Sequence, residues 1–417
     1  MRKTCIILCT LISVFNIHWS FAAATSPQMH LKSKLNDECV LGSPQHQQET
    51  LTTQADVDSF KSRYEGCSNF VGSLIIQEQK NNFSSSVNAL PHITNLNGLS
   101  QIENLEGLLS IQDTHIYSLN GLQKISWAEQ VQILSNSNLV SLNGLNNLQT
   151  SAQVVIAGNK KLQSFEGLDS LAGAIFFIVK NNPILENFSG VHKLFNVGTL
   201  QVDNNMSLFN FKGAEQLIKS DELIISNNPQ LKDFSGLEGI KDIGSLVVDR
   251  NAKLKSFEGL EPTKSISNIE IKNNDTLETL TGLNQVSSIL ADNGKNGDLI
   301  IKNNPHLRTL AGLDNLTSVD GTITIQQNEQ LESVKKMSHL LQIKSNLNII
   351  NNTALTSLAG LENVELPSSN SQNLHFILQD NSKLSDCKAI CHLNQKTGYV
   401  QLRGDNGNCG ESLNQCE

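Results

Sequence analysis

The side chains best suited to acid–base chemistry are spread thinly along this chain. After Ala24 the histidines occur singly, mostly in turn-rich stretches: His30, His46, His92, His115, His192, His306, His339, His375 and His392. No Ser-His-Asp order, H-E-x-x-H motif, phosphate loop or dinucleotide-binding turn occurs. The sequence therefore predicts no catalytic residue, no metal site and no cofactor, and we expect a protein that is not an enzyme.

One pair of carboxylates has a spacing that would suit hydrolysis. Asp203 and Asp249 occupy the same position of two strands that are two repeats apart. At about 4.8 Å per strand the two side chains would lie roughly 9–10 Å apart. Inverting glycosidases place their carboxylates at a similar separation. Isolated acids are also common on a solvated strand face, and we interpret this pair as surface residues.

The cysteines lie only near the two ends of the chain. Those that follow Ala24 are Cys39, Cys67, Cys387, Cys391, Cys409 and Cys416. A zinc site would use four such thiols, but the C-x3-C and C-x6-C spacings lack the usual zinc knuckles. An even number of cysteines at the ends of a secreted chain favours disulfide-stapled caps. Of three possible pairings for the last four, we favour Cys387–Cys409 with Cys391–Cys416.

Between these ends runs a repeat with a period of 23 positions. Glycines recur at that spacing from Gly98 to Gly282, then at Gly312 and Gly360, with Lys336 standing where a glycine is expected. A second series, here called the Asn ladder, keeps the same register: Asn136, Asn159, Asn182, Asn205, Asn228, Asn251, Asn274, Asn304, Asn328, Asn352 and Asn381. Two series locked to one period indicate a solenoid.

The spacing within one repeat has a physical explanation. Leu246 and Val248 alternate as the inward positions of a short strand. The ladder Asn follows three residues later, where its amide can satisfy backbone groups buried at a corner. The glycine then permits a tight turn with positive φ. We therefore expect the Asn ladder to be structural and buried.

The motif Cys67-Ser-Asn-Phe-Val-Gly72-Ser-Leu74-Ile-Ile76, followed by repeated L-x-G-L and L-x-I-x-x-N, resembles the receptor L-domain family of leucine-rich repeats. That family forms the ectodomains of insulin-type and epidermal-growth-factor-type receptors. The resemblance implies a right-handed β-solenoid, a Cys39–Cys67 disulfide around a short helix, and recognition of a protein or glycan. This chain departs from the family in having one uninterrupted run without a Cys-rich module, kinase or membrane segment.

The chain divides into five parts by composition. Residues 1–24 read as a signal peptide, because Arg2 and Lys3 precede an apolar stretch that ends in small residues. An uncleaved anchor is the alternative, although the stretch is short for a membrane span. The other parts are a disordered leader over 25–36, an N-terminal cap over 37–72, a solenoid of about twelve turns over 73–384 and a C-terminal Cys cap over 385–417.

Composition narrows the function. The net charge of −9 is spread through the repeats, so we expect no nucleic-acid partner. No segment after the signal is long and apolar enough to cross a membrane. We expect a protein that is secreted or held at the cell surface.

The residue between the two inward strand positions points outward in every repeat, and this column is here called the outward stripe. It consists of Gln132, Val155, Ile178, Gln201, Ile224, Val247, Glu270, Ile300, Thr324, Asn348 and Ile377. Apolar stripes on a solvent face often mark interaction surfaces, although β-branched residues also simply favour strands. We expect the segment from Val155 to Ile300 to bind a protein or glycan. The alternatives are self-association along the same stripe, as in a structural or adhesive coat protein, and binding by the inserted loops at 291–297 and 366–372.

Overall fold

The computed structural model describes residues 39–43, 45–78, 92–292, 294–366, 376–397 and 400–409. The predicted signal peptide and leader lie outside these residues. The N-terminal cap consists of β1 (Cys39–Val40), β2 (Gln48–Leu51), α1 (Gln54–Arg63), β3 (Asn69–Val71) and β4 (Ser73–Gln77). Short 3-10 turns occur at Asn97–Leu99, Lys335–Met337 and Gly407–Cys409.

The body of the molecule is a series of parallel strands, one or two per repeat. Eight are long: β5 (Asn104–Gln112), β6 (Trp127–Leu134), β7 (Thr150–Ala157), β8 (Gly173–Lys180), β9 (Asn196–Asp203), β10 (Lys219–Ser226), β11 (Asp242–Asp249) and β12 (Ser265–Lys272). Later repeats split the strand in two: β13 (Ser288–Ile289), β14 (Leu299–Lys302), β15 (Ser318–Val319), β16 (Ile323–Gln326), β17 (Gln342–Ile343) and β18 (Leu347–Ile350). The series closes with β19 (Phe376–Gln379), α2 (Lys388–Thr397) and β20 (Val400–Arg403).

Every strand pairs in parallel with its counterpart in the next repeat, so the predicted β-solenoid is confirmed. It has about fourteen turns rather than the predicted twelve. The difference lies at the ends, where strands with weaker repeat signatures continue the register. Thr50 of β2 pairs with Ile75 of β4 at one end, and Ile377 pairs with Gln401 of β20 at the other.

The core is a single column of apolar side chains enclosed by the turns. The inward strand residues, such as Leu246 and Val248, are fully buried as predicted. On the opposite wall, phenylalanines of successive turns contact one another with ring centroids 5.1–5.7 Å apart: Phe165, Phe188, Phe211, Phe234 and Phe257. Because one turn cannot bury its own apolar face, the stacking of neighbours supplies most of the stability.

The Asn ladder is buried along its whole length, as predicted. From Asn136 to Asn352, each ladder residue donates its backbone N–H to the Oδ1 of the next ladder residue, at 3.0–3.1 Å. Each Nδ2 also donates to a strand carbonyl of the preceding turn, for example from Asn228 to Val202 at 3.0 Å. The ladder extends beyond its predicted ends, to Thr114 and Asn406.

Both ends of the solenoid are capped and cross-linked. In the N-terminal cap, Thr53 and Asp56 form a capping box at the start of α1, and Val57 and Phe60 bury its apolar face. Disulfides join Cys39 to Cys67 and Cys387 to Cys409, with Cα separations of 6.0 and 5.5 Å, and both pairings were predicted. Cys391 is also disulfide-bonded, and its predicted partner, Cys416, lies outside the described residues.

We expect all six cysteines that follow Ala24 to be oxidised. The described disulfides cross-link only the two ends, where an open stack would otherwise expose core and strand edges. Mass spectrometry after alkylation without reductant should find no labelled cysteine, and digestion should release a peptide joining Cys391 to Cys416. Alkylation at any of the six positions would contradict this expectation.

Candidate functional site

The outward stripe forms one continuous column across the sheet. Strand pairing joins its members in sequence, from Gln132 beside Val155 to Asn348 beside Ile377. Ile178 lies between Val155 and Gln201. Because paired strands lie about 4.8 Å apart, these side chains contact one another and form a single surface from separate repeats.

The stripe is less exposed than the sequence suggested. All eleven of its members are half-buried, since each side chain is flanked by its counterparts on the two neighbouring strands. None of them ranks among the strongly exposed large apolar residues of the described chain. The stripe is therefore a closely packed surface of apolar and polar side chains, and its members do not project separately into solvent.

More strongly exposed apolar residues lie on or just before two of these strands, N-terminal to the stripe positions, and they were not predicted from the sequence. Ile175 and Phe176 of β8 are 53% and 44% exposed, and Phe195, just before β9, is 51% exposed. Phe176 is two residues before Ile178 on the same strand and pairs with Gln153 and Thr199. A signal was present, because residues 174–179 form an unbroken apolar run where other repeats alternate. These residues make the middle of the outward face its most apolar part.

The acidic residues of this face are engaged within the protein. Asp203 accepts hydrogen bonds from Ser226 and Asn227, at 2.7 and 2.8 Å. Asp249 is paired with Arg250 at 2.6 Å and accepts from Asn273 at 2.7 Å. Both carboxylates thus tie neighbouring turns together, which supports their interpretation as structural surface residues.

Lys295, in the loop at 291–297, reaches a residue of the outward face. It forms an ion pair with Glu222 of β10, with 2.5 Å between Nζ and Oε1, although the two residues belong to separate repeats. Glu270 of the stripe is paired instead with Lys272 of its own strand. The loop therefore borders the apolar middle of the face and leaves charged groups at its margin. The second predicted binding loop, at 366–372, lies outside the described residues except for Leu366.

A separate cluster contains Glu78, His92 and His115, three potential metal ligands that lie within 4.8 Å of one another. The sequence predicts that both histidines are isolated. The missed signal is that His115 follows His92 by 23 positions, which is one repeat period. Burial of Glu78 opposes its ionisation, but hydrogen bonds from His92, His115 and the Ile93 N–H outweigh that effect, so the pKa of this carboxyl lies below its usual value.

The chain matches no protein-family model, and no curated protein matches it significantly. The resemblance to receptor L domains therefore rests on the motifs alone and stays a prediction. Among the described residues, no helix is long and apolar enough to cross a membrane.

Proposed function

We propose that this chain is a secreted or cell-surface binding protein that recognises its partner through the outward sheet face. The observation that carries the proposal is the continuous stripe from Val155 to Ile300, reinforced by the exposed Ile175, Phe176 and Phe195. Exposed contiguous apolar surface on a folded protein is typical of interaction sites. The disulfides are compatible with an extracellular location.

A protein partner fits this surface better than a glycan. Its centre is aliphatic and phenylalanine-rich, with Gln153, Thr199 and Gln201 beside it as hydrogen-bonding groups. Such an apolar centre with a polar margin is typical of protein–protein interfaces. The charged margin, which includes the Lys295–Glu222 pair, would discriminate among partners more than it would add affinity.

Replacing Ile178 and Ile224 together with lysine should abolish most of the binding. Both side chains are half-buried on the outward face and do not belong to the core, so the fold should remain intact. If they anchor the partner, affinity should fall by at least about 2 kcal/mol, which corresponds to roughly 30-fold. The measurement is surface-based binding of the mature chain to a protein partner, with a glycan array run in parallel.

The matched control is Ile184→Lys. Ile184 is an isoleucine exposed to 36% in the turn after β8, outside the sheet face, and its replacement should leave binding unchanged. Circular dichroism and thermal melts would confirm that all variants are folded. A folded double variant that binds as well as the unsubstituted chain would move the site to the loop at 291–297. Concentration-dependent polymers in light scattering, lost in the double variant, would favour the self-associating coat protein instead.

A further inference from the structure

The cluster of Glu78, His92 and His115 is assembled by the repeat itself. Glu78 directly follows β4, whose last residue, Gln77, pairs with Gln112 at the end of β5. The two imidazoles belong to successive turns and stack, with ring centroids 3.7 Å apart and planes tilted by 33°. The backbone N–H of His115 donates to the carbonyl of Ile93 at 3.2 Å, which fixes the two turns against each other.

The Glu78 carboxylate contacts backbone N–H groups through Oε1 and both imidazoles through Oε2, and Nδ1 of His115 also lies 3.1 Å from Oε1. Oε1 of Glu78 accepts the backbone N–H groups of Ile93 and His115, at 2.8 and 3.1 Å. Oε2 lies 2.8 Å from Nδ1 of His92 and 2.9 Å from Nδ1 of His115. The backbone therefore orients the carboxylate, and one oxygen and two imidazole nitrogens converge on one point.

Two imidazoles and one carboxylate form a ligand set that zinc and related divalent metals prefer, whereas Mg²⁺ and Ca²⁺ favour oxygen ligands alone. Ligand atoms on a tetrahedral zinc ion lie about 3.3–3.5 Å apart, given metal–ligand bonds of about 2.0–2.2 Å. The two distances to Oε2 are a few tenths of an ångström shorter than that, so a small side-chain rotation would admit the ion. The two backbone N–H donors supply the outer hydrogen bonds that orient a metal-binding carboxylate.

The cluster is also accessible from solvent. The side chain of Glu78 is only 13% exposed, whereas those of His92 and His115 are 56% and 40% exposed. The negative charge thus lies at the base of the site, and the imidazoles form an open rim. This arrangement leaves room for an ion to enter and for water or another ligand to complete its coordination.

We infer that Glu78, His92 and His115 bind one divalent transition-metal ion of the zinc class. The ion would join the end of β4 to the two turns that carry the histidines, and it would keep at least one coordination position open. This site is independent of the outward stripe and of the partner proposed for it.

Titration of the mature chain with Zn²⁺ by isothermal calorimetry tests the inference. The protein should be treated with a chelator beforehand and purified without a polyhistidine tag. We expect one ion per chain, and affinity at least about tenfold weaker in the His92→Ala/His115→Ala variant. The control is His306→Ala/His339→Ala, which removes two isolated imidazoles that bond only backbone carbonyls, and it should bind as the unsubstituted chain does.

A second variant separates metal binding from folding. Glu78→Gln keeps an oxygen that can accept the Ile93 and His115 N–H groups but replaces the charged ligand, so the fold should persist while Zn²⁺ affinity falls at least about tenfold. Zn²⁺ should raise the melting temperature of the unsubstituted chain by more than that of this variant. Equal Zn²⁺ binding by the unsubstituted chain and both site variants would overturn the inference. So would a thiolate charge-transfer band on Co²⁺ substitution, because it would place the ion on cysteines.

Discussion

Gly236→Ala should destabilise the solenoid by at least about 3 kcal/mol. At this position φ is +101°, a conformation that an L-residue adopts only with strain. A methyl group there would also lie less than 3.0 Å from the backbone of Phe211 and Lys212 in the preceding turn. Neither turn can move away without opening the stack, so both costs apply together. Urea denaturation followed by circular dichroism should show a markedly lower midpoint.

Gly66→Ala is the matched control. Gly66 also has a positive φ, of +80°, but an added Cβ would meet nothing within 4 Å. It should therefore lose only about 1–2 kcal/mol, the cost of the backbone conformation alone. Equal losses in the two variants would show that contact between turns does not explain the repeated glycine.

The exception in the glycine series agrees with this explanation. Lys336 stands at the glycine position of its turn, and there the backbone forms the 3-10 turn Lys335–Met337. Lys336 does not have a positive φ. At Lys336 the backbone follows a different path through the turn, and a residue with a side chain can occupy this position.

Asn228→Ala should cost about 1–3 kcal/mol, toward the upper end of that range. The Asn228 side chain is fully buried. Its Oδ1 accepts the Asn205 backbone N–H at 3.0 Å, and its Nδ2 donates to the carbonyls of Val202 and Ser226. Removing the amide leaves more than one buried backbone group without a partner, and the loss should appear as a lower denaturation midpoint.

From its place beside the Asn ladder, the sequence predicts that Asn227 is exposed and that its replacement by alanine costs under about 0.5 kcal/mol. The structure contradicts this prediction. In the structure Asn227 is half-buried, has a φ of +54° and donates to Asp203. Asn227→Ala should therefore cost about 1 kcal/mol or more for its left-handed backbone.

The exposed Lys232, in the same turn, provides the neutral comparison. Lys232→Ala should change stability by less than about 0.5 kcal/mol. If Lys232→Ala lowers the free energy of unfolding as much as Asn228→Ala does, the Asn ladder does not stabilise this turn.

Most of the fold could be predicted because each repeat imposes the same few requirements. In every repeat, the residue at the position of Asn228 must pair with buried carbonyls, and the residue at the position of Leu246 must face inward. The placement of the cysteines at the two ends fits the same requirement, because only the ends of a stack need closing, whereas the Cys39–Cys67 pairing was implied by the resemblance to receptor L domains. The terminal turns were undercounted, since β2 and β20 keep the pairing but not the consensus residues.

The surface could be predicted only in part, because the period fixes where a side chain points and not how much of it neighbours cover. The half-burial of Ile178 depends on Val155 and Gln201 beside it. Ile175 is exposed, and its counterparts one period away on either side, Ala152 and Gly198, are small residues. The meeting of Glu78 with His92 and His115 needed the corner geometry, which no local pattern encodes.

The ladder geometry is the same whatever length of chain separates its members. Backbone N–H to Oδ1 distances are 3.0–3.1 Å when successive residues are 23, 24, 29 or 30 positions apart. The extra chain at 291–297 is inserted between β13 and β14, which both pair with β12, and the ladder bond that spans it keeps its usual length. The molecule thus separates a constant scaffold from inserted segments, and foreign peptides grafted between β13 and β14 should be displayed on the sheet face of an unaltered frame.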